Sequence, residues 1–261
     1  DFQGKRWSMV MWPLPKNAIE RDILLMHESY HSIQPVLGLQ GDGGLGKNSE
    51  LDSHDGRLWL RAEFSSLRVA LQTSAERRRQ ALADALLFRA CRVSLWPHAA
   101  AEERSLELNE GLAESTGIDA SQRDTHARIA SAIRDIDNVG KEDSFVRSFA
   151  YATGPAYAEL LDAVQADWRR KVKADFSFSK AAAAAYHLAM PKADRTLALG
   201  AIGKYDGRRI IAEEDTRAKA TAARNAHFTH VLVDGPALTL PLGKFSISFD
   251  PRTVYSLPGQ G

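Results

Sequence analysis

The chain has 261 residues, of which 44% are hydrophobic and 26% charged, and a net charge of +1. This is the make-up of a globular protein long enough to bury a substantial core, either as one large domain or as a main domain with a small appendage. The near-neutral balance gives no electrostatic reason to expect nucleic acid as a partner. No run approaches the roughly 20 apolar residues of a membrane span, and a lone cysteine excludes both an intramolecular disulfide and a thiolate metal site.

Residues 6–14, RWSMVMWPL, are aromatic and β-prone and are closed by Pro13 and Pro15, which predicts a strand. As an exposed edge it would hold an extended peptide by main-chain hydrogen bonds; packed into a small sheet it would not. The next segment, 19–34, is IERDILLMHESYHSIQ. Ile19, Ile23, Leu24, Leu25 and Met26 give it helical apolar character, and Pro35 with Gly38 ends it. Late in this helix lie His27, Glu28 and His31, in the order His-Glu-x-x-His. Side chains four apart share a helical face, so two imidazoles can reach one cation while Glu28 flanks it. Two hydrogen-bonded histidines on an ordinary helix are the plainer alternative.

Residues 38–57 form a Gly-, Asp- and Asn-rich connection whose glycines lack phosphate-loop spacing. Asp52, His54 and Asp55 there suit a polar surface loop better than a second ion site. Helical patterning runs from Leu58 to about Leu95, with Leu60, Phe64, Leu67, Ala70 and Leu71 on one face, Arg77–Arg79 on a solvated face and Cys91 in the core. Further helices are expected over 101–116, 122–137, about 143–173 and 180–190. Thr196–Tyr205 reads as a strand, Ile210 to about His230 as a charged helix, and 230–249 as two strands, with a boundary near residue 192.

Two histidines require at least one further ligand, because catalytic zinc takes three protein groups and keeps one position for water. The 101–116 helix offers Glu110 and, one turn on, Glu114; Glu63 in WLRAEFSSL is a competing ligand. The segment Leu108-Asn109-Glu110-Gly111-Leu112-Ala113 resembles the Asn-Glu-Gly-aromatic-Ala segment in which zinc aminopeptidases of the gluzincin clan carry their third ligand. Tyr151-Ala152-Thr153-Gly154 is similar to their Tyr-x-x-Gly segment. The resemblance implies that His27, His31 and Glu110 bind Zn2+, that Glu28 is the general base, and that Tyr151 stabilises the oxyanion. Glu114 would orient a ligating imidazole through its second nitrogen, or else stand as an exposed carboxylate on the helix. The chain departs from that family in having 78 residues between His31 and Glu110 and in lacking the Gly-x-Met-Glu-Asn segment that binds a substrate's free amine. Aminopeptidase specificity is therefore not implied.

The expected fold is mainly α with a small β component: a zincin-like metallopeptidase catalytic domain over 1–191 and a small α/β region over 192–261. The expected activity is zinc-dependent hydrolysis of a peptide or protein substrate. An idle relative that binds a peptide or partner protein, and a zinc hydrolase of a non-peptide amide or ester, are the alternatives. Oligomeric state and compartment are left open; a first residue of Asp1 instead of Met reads as a processed or trimmed start, compatible with export.

Overall fold

The computed structural model describes residues 3–4, 7–39 and 48–236, with single positions at 243, 244, 246 and 248. The protein is mainly helical, and the described residues contain no strand. Its contacts divide it into a unit over Asp1–Ile211 and a second over Ala212–Gly261.

In the first unit, α1 (Ala18–Ile33) starts where Asn17 Oδ1 accepts from the amides of Ile19 and Glu20, at 2.9 and 3.2 Å. These are donors that the first turn leaves unpaired. The helix buries Ile23 and His27 and leaves Ile19, Met26 and Ile33 exposed. The helical stretch expected from Leu58 to Leu95 is two helices, α2 (His54–Gln72) and α3 (Ala75–Val93), because Thr73 and Ser74 adopt extended backbone that no α-helix continues. Next come α4 (Ala99–Leu106), a π-turn over Glu107–Gly111 and α5 (Leu112–Ser121), which run on without an extended break. After α6 (Thr125–Val139) and α7 (Phe149–Asp162) come α8 (Phe178–Ala185) and α9 (Arg195–Ile202). The core is built on α2, α3 and α7, with Trp59, Leu60, Phe64, Leu67, Phe88, Phe149, Tyr157, Leu160 and Leu161 removed from solvent.

The expected β component is absent from the described residues. Trp7–Met11 forms no ladder; it lies beside α1, where Ser8 Oγ donates to the Glu28 carbonyl at 3.0 Å. Thr196–Tyr205 is helical because Asp194 caps the amide of Leu197 at 2.9 Å, and the buried residues Ala198, Ala201 and Ile202 recur at helical spacing, three and four apart. Residues past the expected boundary at 192 thus belong to the core of the first unit, which extends to Ile211. Helix α10 (Gly207–Phe228) matches the expected charged helix, and Thr229–Val233 forms a π-turn where a strand was anticipated. The rest of the expected strand pair lies mostly outside the described residues, as does much of the Gly-rich connection.

Candidate metal centre

Three segments distant in sequence meet at one point. On α1 the four-residue spacing places His31 one turn after His27, with ring centroids 4.7 Å apart. The Nε2 atoms of the two rings lie 3.0 Å from each other, and each is 3.3 Å from Glu110 Oε2. Helix α7 brings Tyr151 over the same point. Its ring stacks on His27 at 5.4 Å and 4°, and its hydroxyl donates to Glu110 Oε2 at 2.6 Å.

Glycines make this convergence possible. A Cβ on Gly154 would lie 2.4 Å from Gly111 Cα, so the π-turn and α7 cross with backbone against backbone. A Cβ on Gly117 would lie 2.7 Å from the Ile23 carbonyl, which accounts for the close seat of α5 on α1. The glycines of the Asn-Glu-Gly and Tyr-x-x-Gly segments are therefore the two halves of one crossing. One residue before the first is Glu110; one turn before the second is Tyr151.

The π-turn aims the carboxylate. In its wider register the Leu112 amide bonds to the Glu107 carbonyl, five residues back, so Glu107 faces the core while Glu110 faces the histidines. The Gln34 side chain, three residues after His31, donates to the Leu108 and Asn109 carbonyls at 3.1 and 2.9 Å and ties the end of α1 to this turn. Nothing in the sequence pattern pointed to Gln34, since its task depends on carbonyls exposed by a π-turn. Asn109, which the sequence marks only as the first residue of the Asn-Glu-Gly segment, donates through Nδ2 to Glu110 Oε1 at 3.1 Å.

The outer hydrogen bonds fix what the inner nitrogens carry. Because the Gln34 amide nitrogen serves two carbonyls, its Oε1 is the atom 2.6 Å from His31 Nδ1, and it can only accept. Glu114 Oε2, 2.7 Å from His27 Nδ1, likewise accepts from the ring. Both Nδ1 atoms therefore bear hydrogen, and the neutral rings turn two Nε2 lone pairs and a carboxylate oxygen toward one another at 3.0–3.3 Å. Such an array is repulsive unless a cation lies within it. Without a metal the cation is a proton: burial opposes charging His27, but the Glu110 and Glu114 carboxylates outweigh it and push the ring up to about 9. Hydrogen bonding to Glu110 likewise raises His31, and although burial opposes the charge, the two rings and Tyr151 hold Glu110 well below the usual carboxylate range. Burial and the Glu110 carboxylate hold the Tyr151 proton far above the ordinary phenol range.

The donor set suits zinc. Three ligands placed tetrahedrally at about 2.0–2.1 Å from zinc are about 3.3–3.4 Å from one another, and two neutral imidazoles with one carboxylate are the donors of a hydrolytic zinc site. Among the described residues His27, His31 and Glu110 are the one group of three such side chains whose ligand atoms all lie within 4.8 Å of one another. Glu28 is half-buried on the same helix, and its charge reaches the Tyr151 hydroxyl. Glu63, the competing ligand, is fully buried elsewhere, against Arg89 and Arg92 at 2.8 and 2.7 Å. Asp52, His54 and Asp55 make no ion site: Asp52 accepts from the Phe145 amide, and Asp55 bonds Arg195 and His54.

Comparison with protein-family models, with curated proteins and with solved structures returned no match.

Proposed function

We propose that the protein is a zinc-dependent peptidase with a zincin-like centre. The observation that carries this reading is the convergence of His27 Nε2, His31 Nε2 and Glu110 Oε2 at 3.0–3.3 Å, with both Nδ1 positions already committed to acceptors. His27, His31 and Glu110 would hold the ion, Glu114 and Gln34 would fix the imidazole orientations, and Asn109 would fix the carboxylate. Zinc bound there would polarise an amide carbonyl and bring a water's pKa toward about 7.

The chain's own groups supply the remaining chemistry. Glu28, between two ligands in the sequence of α1, would take a proton from the attacking water and deliver it to the departing amine nitrogen. Tyr151, whose proton is held strongly, is a donor at any working pH. Its bond to Glu110 Oε2 uses that proton now, so turnover requires the hydroxyl to turn from the carboxylate toward the developing oxyanion.

The deciding experiment combines metal content with hydrolysis of a diverse peptide library by the wild type and Glu28→Gln. The expected result is close to one zinc per chain in both proteins and cleavage only in the wild type. Zinc binding without cleavage of any peptide would overturn the peptidase reading, and absence of zinc would overturn the centre itself.

A further inference from the structure

Behind the crossing of Gly111 and Gly154, on the side away from the histidines, lies a buried ionic network unrelated to the ligand set. Arg89 from α3 donates through Nε to Glu63 at 2.8 Å and through its two Nη atoms to both oxygens of Glu107, the Nη1 bond being 2.9 Å. Thr153 Oγ1 donates to Glu107 Oε1 at 2.7 Å, and Tyr157 OH donates to Glu63 Oε1 at 2.8 Å. Arg92 joins Glu63 to Glu103 with contacts of 2.7 Å. Every member is at most 7% exposed.

The π-turn and α7 are thus linked by two rungs. On the histidine side Tyr151 donates to Glu110; on the core side Thr153 donates to Glu107, with the glycine contact between them. At the contact itself the two glycines present no side chains to interlock, so the rungs add to the core packing of α7 in setting its register. The outer rung has to open if Tyr151 is to serve an oxyanion, which leaves the inner one, with Asn109 and Gln34, to hold Glu110 in place. We infer that Arg89, Glu107 and Thr153 form a positioning device for the metal centre: Arg89 fixes Glu107 in the π-turn, and Thr153 locks α7 to it. The inference rests on the reading of His27, His31 and Glu110 as metal ligands.

Thr153→Val tests it, because valine keeps the shape and loses the hydroxyl. In the full chain, zinc affinity measured against a chelating indicator, well below the melting temperature, should fall about tenfold, in the range for residues that support metal ligands. Thr153→Ser, which retains the donor, should restore wild-type affinity. Tyr186→Phe is the control: it removes a buried hydroxyl that donates to the Leu160 carbonyl at 2.9 Å, so it should lower stability and leave zinc affinity unchanged. Wild-type affinity in Thr153→Val, or an equal loss in Tyr186→Phe, overturns the positioning role. Glu107→Gln, which weakens the same rung by removing its charge, is measured alongside, and wild-type affinity there is equally adverse. A wild-type protein that binds no zinc is a different failure: it removes the centre itself, and the inference with it.

Discussion

Glu110 Oε2 is the atom on which the centre turns, since it faces both imidazoles and accepts a hydrogen bond from the Tyr151 hydroxyl. Glu110→Ala, His27→Ala and His31→Ala should each remove nearly all bound zinc, measured by metal analysis after desalting. Glu63→Gln should leave zinc in place and lower the melting temperature, because it weakens bonds to Arg89 and Arg92 that are removed from solvent. Tyr151→Phe separates two effects. Loss of a hydrogen bond to a ligand should weaken zinc by about tenfold, whereas loss of an oxyanion donor should lower kcat by about 10²-fold or more at saturating zinc. Equal losses that vanish on adding zinc would leave Tyr151 a purely supporting role. Gln34→Ala should also cost about tenfold or more in affinity, and it should destabilise the fold by about 1–3 kcal/mol by stranding the Leu108 and Asn109 carbonyls. At this scale the histidine pair was legible because helical spacing alone puts side chains four apart on one face. Glu114 was legible as a carboxylate one turn past Glu110. Gln34 was not, because its partners are carbonyls of a segment 74 and 75 residues away.

Elements bring these residues together through two features that patterning reports poorly. A helix continuous in apolar periodicity gives no sign of a π-turn at Glu107–Gly111, yet that turn aims Glu107 and Glu110 in different directions. Gly154 shows in sequence only as part of a Tyr-x-x-Gly resemblance; in the structure it is a contact surface. Gly154→Ala places a methyl group 2.4 Å from Gly111 Cα, where the obstacle is backbone and neither helix can yield cheaply. The expected outcome is a loss of about 1–3 kcal/mol in denaturant unfolding, together with weakened zinc binding as Tyr151 and Glu110 are forced apart. Gly200→Ala on α9, where a Cβ meets nothing within 4 Å, is the matched control and should be neutral or slightly stabilising. Thr196–Tyr205 shows the opposite limitation. Its run of apolar residues admits either a strand or a buried helix by periodicity, and the cap at Asp194 together with the helical spacing of Ala198, Ala201 and Ile202 decides for helix.

Across the first unit, buried acids set how stability depends on pH. Glu159 on α7 is pushed up to about 7 by burial, with the Asp162 charge adding to the shift; Arg128, whose Nε donates to Oε1 at 3.2 Å, and Arg169 oppose it. Its other oxygen, Oε2, is buried without a hydrogen-bond partner among the described residues. Asp135 on α6 is pushed up to about 8 by burial and by the Glu114 and Glu20 charges, against Arg134. Both groups have folded pKa values above their unfolded ones, and both are acids. From about pH 4 the unfolded chain releases these protons while the folded chain retains them, up to about pH 7 for Glu159 and about pH 8 for Asp135, so the two groups reduce stability as pH rises through those windows. Glu63 acts in the other direction, since although burial opposes its charge, Arg89 and Arg92 hold it below its ordinary value, and its contribution is lost as pH falls below about 4.5. These trends, together with the contribution of the His27 and His31 charges, which is lost as pH rises above about 6.5, place the stability maximum of the metal-free protein on the acidic side of neutrality. Glu159→Gln identifies one of the groups responsible: the amide keeps an acceptor for Arg128 and needs no proton to remain neutral. In denaturant unfolding with chelator present, it should be close to wild type at pH 5 and more stable by about 1–2 kcal/mol at pH 8, where the wild type holds an ionised carboxylate in a buried site. A variant no more stable than wild type at pH 8 would show that Glu159 ionises in the folded protein without penalty, leaving the slope to Asp135 and to the loss of charge from His27 and His31.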